Sequence, residues 1–216
     1  MVKIIENVYL IHSNIVNQYL VVDKNEILLI DTGLKGNEKN IDNSMFEIGL
    51  SIKQITKILI THADGDHYGA LKSLIIQSGA LAMASQKESE AISIGKSSRK
   101  MNSKGLKSII FSIISPLFSS KPVKINVILK NGDEIPILGG LRILSTPGHT
   151  PDHISFYSRT TGILFSGDSI RIINSQLFPS SGSNTWDYSL AKKSFDLQMA
   201  LMPKYICGGH GFYKNN

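Results

Sequence analysis

Cysteine, tryptophan and long apolar runs are all scarce in this sequence. The single cysteine, Cys207, excludes a disulfide within the chain and is typical of a reducing compartment, so we expect a cytoplasmic location. No apolar run approaches the roughly 18 residues that a membrane-spanning helix needs. Residues 1–6 show neither the apolar core nor the cleavage site of a signal peptide. The sequence therefore predicts a protein without a membrane span or a leader.

The overall composition is that of an ordinary globular protein. Apolar residues make up 42% and charged residues 19% of the chain. At 216 residues, we expect one domain with a sizeable core, covering residues 1–216. The net charge of +6 invites a nucleic-acid hypothesis. Much of the basic excess, including Arg99, lies between Lys87 and Lys124, however, and such a segment is more typical of a solvated helical surface. Nucleic acid is therefore not the favoured partner.

The hydrophobic pattern predicts alternating short strands and helices. Strands are predicted at residues 4–12, 18–23, 26–31, 55–60, 80–84, 154–157, 162–165 and 205–207. Three more, at 125–129, 134–138 and 141–145, are predicted to form a meander with Asn131-Gly132 and Gly139-Gly140 at its turns. Helices are predicted at 37–50, 71–77 and 188–202, and a long irregular loop at 174–187.

Metal-binding residue types are concentrated in one stretch, Thr61-His62-Ala63-Asp64-Gly65-Asp66-His67. It follows the predicted strand at 55–60 and precedes a predicted helix. On an extended or turning backbone, alternate side chains point to the same side, so these imidazoles and carboxylates can converge. Two of the six histidines of the chain lie here beside two aspartates. The stretch therefore predicts a metal site, with these candidate ligands: His62, Asp64, Asp66 and His67.

Three further candidate ligands each follow a short apolar strand, namely His149, Asp168 and His210. Ligands this far apart in sequence can converge if their strands end at one edge of a sheet sandwich. Imidazole and carboxylate suit zinc, iron and manganese, and the lack of cysteine at these positions argues against a closed structural zinc site. The predicted ligand sets are His62, Asp64, His149 and Asp168 for one ion and Asp66, His67, Asp168 and His210 for a second.

Together with Asp31-Thr32-Gly33, these residues give five motifs in the order found in the metallo-β-lactamase superfamily, which the sequence resembles over nearly its whole length. The resemblance implies an α+β fold, a four-layer αββα sandwich with two sheets face to face and helices outside. It also implies a site for two divalent metal ions, with zinc the first expectation, and a small-molecule substrate. The implied activity is hydrolysis, as in the superfamily's lactonases, glyoxalase II-like thioesterases and phosphodiesterases.

One position departs from the superfamily pattern His-x-His-x-Asp-His, because Asp64 replaces the second histidine. Two divalent ions carry +4, and the three aspartates with one hydroxide carry −4, so the cluster is neutral where the usual pattern leaves +1. A less positive cluster acidifies its water less and shifts the metal preference towards manganese or iron. A diiron redox protein therefore stays open as an alternative.

The implied mechanism uses a hydroxide held between the two ions as the nucleophile. We expect Asp66 to orient this hydroxide and to pass its proton to the leaving group. Tyr68 is a candidate hydrogen-bond donor to the developing oxyanion, with a packed tyrosine at a helix start as the alternative. We expect His153 to be a structural histidine and Asp31 to accept hydrogen bonds from backbone N–H groups.

Residues 87–120 interrupt the alternation of strands and helices, so a helical insertion is predicted there. Apolar residues recur at helical spacing over residues 106–118. This helix could be a core element, a lid over the active site, or a surface for a membrane or for a second copy in a homodimer. A lid would suit an acyl chain, which favours a lactone or a carboxylic ester or thioester as the substrate. A phosphodiesterase or nuclease is the alternative enzyme.

Overall fold

The computed structural model describes residues 1–13, 15–24, 26–99 and 120–215. Its first sheet has seven strands, which lie side by side in chain order. The first four pair as antiparallel hairpins, and the last four pair in parallel. The strands are β1 (Val2–Ile5), β2 (Val8–Ile11), β3 (Gln18–Asp23), β4 (Glu26–Ile30), β5 (Lys57–Leu59), β6 (Leu81–Ala84) and β7 (Val127–Ile128).

The other strands form a six-stranded sheet and a two-stranded hairpin. They are β8 (Glu134–Ile135), β9 (Leu141–Ser145), β10 (Ile154–Ser158), β11 (Ile163–Gly167), β12 (Ile170–Ile173), β13 (Gln176–Pro179), β14 (Tyr205–Gly208) and β15 (Gly211–Lys214). The larger sheet has the order β15-β14-β11-β10-β9-β8, and β12 and β13 form the hairpin. Within the larger sheet β11 and β14 are parallel and the other neighbours are antiparallel.

Helices cover the outer face of each large sheet. They are α1 (Glu38–Phe46), α2 (Gly65–Tyr68), α3 (Leu71–Ser78), α4 (Gln86–Ser93) and α5 (Tyr188–Ala200), with a 3-10 turn at Ile52–Gln54. Side chains of α1, α3 and α4 lie in the core of the seven-stranded sheet, whereas α5 packs on Leu164 and Ile206 of the other sheet. None of the helices in the described ranges is long and apolar enough to cross a membrane.

Strand β4 shows how the layers are built. Its alternate side chains point to opposite faces of the sheet: Ile27 and Leu29 contact the helix layer, and Leu28 and Ile30 join the core between the two sheets. Phe156 and Phe165 of the six-stranded sheet meet them there. Both faces are therefore buried, which explains why the strand is apolar throughout. The layers are helix, sheet, sheet and helix, which confirms the predicted αββα sandwich.

The predicted meander at residues 125–145 is wrong in its first strand, which belongs to the other sheet, whereas its second and third strands pair antiparallel as β8 and β9. β7 pairs in parallel with β6, and the Leu129 N–H donates to the Ala84 carbonyl at 2.9 Å. The chain then turns at Lys130–Asp133 and enters the six-stranded sheet as β8. An Asn-Gly turn between two apolar runs usually indicates a hairpin. The pattern does not distinguish a hairpin from a turn that joins two sheets.

Two other predicted segments are divided differently in the structure. The strand at residues 4–12 is broken into β1 and β2 by a turn in which Asn7 has a φ of +65°. The irregular loop at 174–187 begins inside the β12–β13 hairpin, whose turn residues Asn174 and Ser175 have φ values of +49° and +58°. Two positive φ values usually call for glycine, so the sequence carried no strong hairpin signal. The predicted amphipathic helix at 106–118 lies outside the described residues and stays a prediction.

Candidate metal centre

The candidate ligands lie where four segments meet at one edge of the sandwich. They come from the turn after β5, the loop between β9 and β10, the end of β11 and the turn between β14 and β15. Backbone hydrogen bonds join these segments directly: the Ile154 N–H donates to the Thr61 carbonyl at 3.1 Å, and the Gly209 N–H donates to the Gly167 carbonyl at 2.9 Å. The edge is therefore held together by the backbone.

The turn after β5 is compact because backbone hydrogen bonds connect residues within it. Asp64 is extended and precedes the short helix α2, and its carbonyl accepts from the N–H groups of His67 and Tyr68. Gly69 allows the backbone at Lys35, in the loop between β4 and α1, to pass closely, since a Cβ at Gly69 would lie 2.4 Å from the Lys35 nitrogen and 2.5 Å from the Gly65 oxygen. Asp64 thus precedes the short helix, and Asp66 and His67 lie within it.

All seven predicted ligand side chains come together in the structure. Their ligand atoms form three groups, each within 4.8 Å: His62, Asp64 and His149; His62, His67 and Asp168; and Asp66, His67 and His210. Asp168 lies between the groups, with its Oδ2 atom 3.5 Å from His149 Nε2 and 3.3 Å from His210 Nε2. The assignment of the seven residues to two ions, with Asp168 shared, stays a prediction.

Each ligand histidine is oriented through its Nδ1 atom. The partners of Nδ1 are Thr61 Oγ1 at 3.0 Å for His62, Asp31 Oδ2 at 2.8 Å for His67, Ser180 Oγ at 3.0 Å for His149 and the Ile15 carbonyl at 2.7 Å for His210. A carboxylate and a carbonyl can only accept, so His67 and His210 carry their proton on Nδ1. The arrangement leaves the Nε2 atoms turned towards the aspartates, as in histidines that bind metals.

Several buried polar atoms of the site have no hydrogen-bond partner among the residues that the structure describes. They are His62 Nε2, His67 Nε2 and Asp168 Oδ1. An unsatisfied buried polar atom costs about 1–3 kcal/mol, so three of them at one place call for a ligand. Gly209 leaves the space open, because a Cβ there would lie 2.3 Å from Asp168 Oδ1. Imidazole nitrogens and carboxylate oxygens turned towards one another fit divalent metal ions.

Charge coupling keeps the two central carboxylates ionised. Burial alone would raise the pKa of Asp64, but the hydrogen bond from His149, the nearby imidazole of His62 and the charge of Arg99 hold that pKa well below its ordinary value. Burial likewise opposes ionisation of Asp168, and the neighbouring His67 and His210 hold its pKa well below the usual range. Both groups are therefore available as anionic ligands.

His153 and Asp31 have the structural roles that the sequence predicted. His153 Nε2 accepts from the Asp168 N–H at 3.2 Å, and its Nδ1 lies 2.8 Å from Thr146 Oγ1. Burial lowers the pKa of His153 well below its ordinary value, so the ring is a neutral acceptor that positions the backbone of Asp168. Asp31 accepts from the N–H and hydroxyl of Thr61 at 2.9 and 2.8 Å, in addition to His67.

Tyr68 packs in the core of the helix layer. Its hydroxyl donates to the Lys96 carbonyl at 3.3 Å, and burial raises its pKa to about 12. Within the described chain, Tyr68 is not one of the residues that line the pocket beside the candidate ligands. Its role as an oxyanion donor stays a prediction, and the contacts that it makes are those of a packed side chain.

Arg99 is a functional candidate that the sequence reasoning missed. The prediction of a solvated surface is wrong for this residue, because only 8% of its side chain is exposed. Its guanidinium contacts both carboxylate oxygens of Asp64 and the carbonyl of Asn184. Ser97 Oγ also donates to Asp64, at 2.7 Å. A buried acid in place of a histidine needs a compensating charge, and that requirement was the available signal.

Glu88 of α4 is a second residue that was missed. Its fully buried carboxylate accepts from the Ala63 N–H at 2.8 Å, the Thr150 hydroxyl at 2.7 Å and the Asp152 N–H at 3.1 Å. These bonds tie the loop of His62 to the loop of His149. The signal was its spacing, because Glu88 lies on the same helix face as the buried Ala91 and Ile92.

A pocket of about 520 Å³ adjoins the candidate ligands. His149, Asp168 and His210 line it on the side of the site. Its other walls come from the β12 strand, which includes Arg171, and from residues 180–184, which are mainly serine and glycine. The pocket gives a small molecule access to the cluster of histidines and aspartates.

Comparisons with known proteins agree with this geometry. YobT of Bacillus subtilis (strain 168), an uncharacterized protein, is 33% identical over 205 residues, which cover 91% of this chain and 83% of YobT. A hydroxyacylglutathione hydrolase of Idiomarina loihiensis is 27% identical over 168 residues, which cover 76% of this chain but 46% of that enzyme. The crystal structure of the metallo-beta-lactamase family protein TTHA1429 from Thermus thermophilus superposes with a TM-score of 0.76 at 21% identity, covering 98% of this chain and 76% of that one.

The last comparison shows a shared fold. The sequence profile of the metallo-beta-lactamase superfamily matches residues 14–210, a range that contains all seven candidate ligands together with Asp31, Glu88 and Arg99. With the identity to YobT over most of both chains, this match establishes that the protein belongs to the metallo-beta-lactamase superfamily of metal-dependent hydrolases.

Proposed function

We propose that the protein is a dinuclear metal-dependent hydrolase that cleaves an ester-type bond, in a lactone, a carboxylic ester or a thioester. The orientation of the four ligand histidines carries this proposal. Each has Nδ1 occupied by a protein group and Nε2 turned towards the aspartates. A purely structural cluster would join its buried atoms by hydrogen bonds, whereas here His62 Nε2 and His67 Nε2 lie 3.5 and 3.4 Å from aspartate oxygens and, with Asp168 Oδ1, have no hydrogen-bond partner in the described part of the chain.

The ligand sets follow from the three groups of converging side chains. His62, Asp64 and His149 would hold one ion, and Asp66, His67 and His210 would hold the other, with Asp168 shared. When bound, the ions would activate water as a nucleophile at neutral pH and polarise the scissile carbonyl. Zinc is the first expectation from the superfamily, and manganese or iron are alternatives because of Asp64.

Asp66 is the residue that we propose for proton transfer. Its carboxylate lies 3.6 Å from His210 Nε2, and 18% of its side chain is exposed, so it is on the more open side of the cluster. A carboxylate there can take a proton from the attacking water and return it to the leaving group. His153 and Asp31 hold Asp168 and His67 in place while this happens.

The pocket supports an ester-type substrate. Ile170 and Ile172 offer an apolar surface for an acyl group, and the residues at 180–184 offer hydroxyl and backbone groups. The Idiomarina relative is named for hydroxyacylglutathione, which is a thioester. The chain spans less than half of that enzyme, so the glutathione part of its substrate is not carried over to this protein.

A hydrolysis panel tests the proposal. Purified protein is loaded with zinc, manganese or ferrous iron and assayed with lactones, p-nitrophenyl esters, thioesters and p-nitrophenyl phosphodiesters. We expect metal-dependent release of a carboxylic acid, which chelation by EDTA abolishes and Asp168→Ala reduces by at least about a thousandfold. Asp196→Ala, at an exposed helix position paired with Lys192, is the matched control. Equal activity in Asp168→Ala and Asp196→Ala would contradict the proposal.

A phosphodiesterase is the second candidate, and an arginine in the pocket favours it. Arg171 lines the pocket and donates to Ser181 Oγ at 2.5 Å. Guanidinium groups recognise phosphate readily, and the chain carries a net charge of +6. Faster cleavage of phosphodiesters than of esters in the same panel would reverse the order of the two candidates.

A further inference from the structure

The pair of Asp64 and Arg99 distinguishes this metal centre from the superfamily pattern. Asp64 Oδ2 faces the site, 3.2 Å from His149 Nε2 and 3.5 Å from His62 Nε2. The same carboxylate meets the guanidinium of Arg99 side on, with Nη2 at Oδ2 and Nε 3.4 Å from Oδ1. The aspartate therefore lies between a cluster of candidate metal ligands and a buried cation.

Arg99 reverses the charge difference that Asp64 introduces. The ligand atoms alone, with two divalent ions and one hydroxide, sum to zero, whereas a histidine at position 64 would leave +1. The guanidinium adds one positive charge in direct contact with Asp64, which returns the local sum to +1. A carboxylate and a guanidinium together are neutral, as an imidazole is.

The other contacts of Arg99 indicate that it is fixed in this role. Nη1 donates to the Asn184 carbonyl, while Nε and Nη2 are engaged by Asp64. All three nitrogen atoms thus have protein partners, and only 8% of the side chain is exposed. The guanidinium is held against the ligand and does not project into the pocket as a free anion-binding group.

We propose that Asp64 and Arg99 act as one unit that replaces the second histidine of the motif, and that Arg99 sets the affinity and selectivity of the neighbouring metal site. A positive charge next to the ligand carboxylate repels the ion that the carboxylate attracts. Arg99 therefore weakens cation binding relative to a free aspartate and offsets the preference for manganese or iron that Asp64 alone would cause. The inference rests on the proposed metal centre but not on any hydrolytic activity.

Metal titration of the apoprotein tests this inference. Zinc binding is followed by competition with a chromophoric chelator, and manganese binding by the electron paramagnetic resonance signal of the free ion. In Arg99→Gln we expect manganese affinity at one of the two sites to rise by about tenfold or more, with a smaller gain for zinc. Arg99→Lys keeps the charge and should remain within about threefold of the wild type. Arg142→Gln removes a charge from an exposed position on β9 and controls for net charge.

The reciprocal substitution completes the experiment. Asp64→His leaves Arg99 without its carboxylate partner beside the site, so we expect the second equivalent of zinc to bind at least about tenfold more weakly. Asp64→His with Arg99→Gln recreates a histidine without the extra charge and should recover two zinc ions per chain. Unchanged metal affinities in Arg99→Gln, a loss of affinity there, or equal binding by Asp64→His and the double variant would each overturn the proposal. Because binding is the readout, an inactive protein would leave the result interpretable.

Discussion

Replacing Glu88 tests how much this residue stabilises the loops of His62 and His149, because Glu88 bonds both loops without being a candidate ligand. Glu88→Ala removes three hydrogen bonds to a buried carboxylate and leaves the N–H groups of Ala63 and Asp152 without an acceptor. Hydrogen bonds to charged groups contribute about 1.5–3 kcal/mol each, and part of this is returned because no carboxylate has to be desolvated. We expect a net loss of about 3–5 kcal/mol, because three buried donors lose their acceptor at a cost of about 1–3 kcal/mol each.

Glu88→Gln gives a graded version of the same test. An amide carbonyl in place of Oε1 still accepts from the Thr150 hydroxyl and the Asp152 N–H, but the amide nitrogen then faces the Ala63 N–H as a second donor. The Ala63 N–H and the amide nitrogen both lack an acceptor there, but the other two hydrogen bonds are kept, so the expected loss is smaller than in Glu88→Ala, at about 1–3 kcal/mol. Because Ala63 and Thr150 adjoin the candidate ligands His62 and His149, both variants should also bind metal more weakly.

The assay is urea unfolding of the apoprotein, followed by the same metal titration. Glu90→Gln is the matched control, since Glu90 lies on the same helix with its carboxylate exposed and hydrogen-bonded only locally to Gln86. We expect the control to stay within about 0.5 kcal/mol of the wild type. Glu88→Ala and Glu90→Gln unfolding at the same urea concentration would refute the reasoning, as would equal losses in Glu88→Ala and Glu88→Gln.

Three further predictions follow from the same structure. Removal of metal with EDTA should lower the thermal midpoint of unfolding. An ion whose free concentration is 100 times its dissociation constant adds about 2.7 kcal/mol to the free energy of unfolding, and an unchanged melting curve would argue against bound ions. Burial raises the pKa of the Cys207 thiol well above its ordinary value of 9.0. As the pH rises past 9.0, only the unfolded chain releases this proton, so the free energy of unfolding should fall by up to about 1.4 kcal/mol per pH unit. Urea midpoints between pH 8 and 10 check this, and the slope should be smaller in Cys207→Ala. His153→Ala leaves the Asp168 N–H without its acceptor and should weaken metal binding about 10–100-fold, whereas His153→Asn, which can accept the same bond, should retain more of the affinity in the same titration.

The candidate ligands could be predicted from the sequence because each is a histidine or an aspartate that follows a short apolar strand. His149, Asp168 and His210 each follow a short apolar strand, and His62 to His67 lie in one turn. Strand ends that share one sheet edge bring such residues together regardless of their separation in sequence. The fold class came from the resemblance of these motifs to the superfamily, and the β4 strand, apolar on both faces, indicated only that it is covered on both sides.

Strand pairing was less predictable because local patterns do not report which sheet a strand joins. The run at 125–129 is apolar and ends at an Asn-Gly turn, yet β7 pairs with β6, more than 40 residues earlier in the chain. The β12–β13 hairpin turns at Asn174 and Ser175 without glycine, so its signal was weak. In both cases the deciding interactions are between backbone groups, which the sequence does not distinguish.

The residues that support the metal centre were missed for a different reason, because their roles depend on charges supplied by other segments. Glu88 and Arg99 both come from the stretch that begins with α4, yet one accepts bonds from the two ligand loops and the other contacts the ligand carboxylate. Neither carries a motif, and either could be a surface residue by type. Since Glu88 and Arg99 contact the site without being predicted ligands, we expect substitutions at either position to change metal affinity and selectivity while every candidate ligand is kept. The metal chemistry that we propose for this protein therefore depends on these two residues as well as on the motif itself.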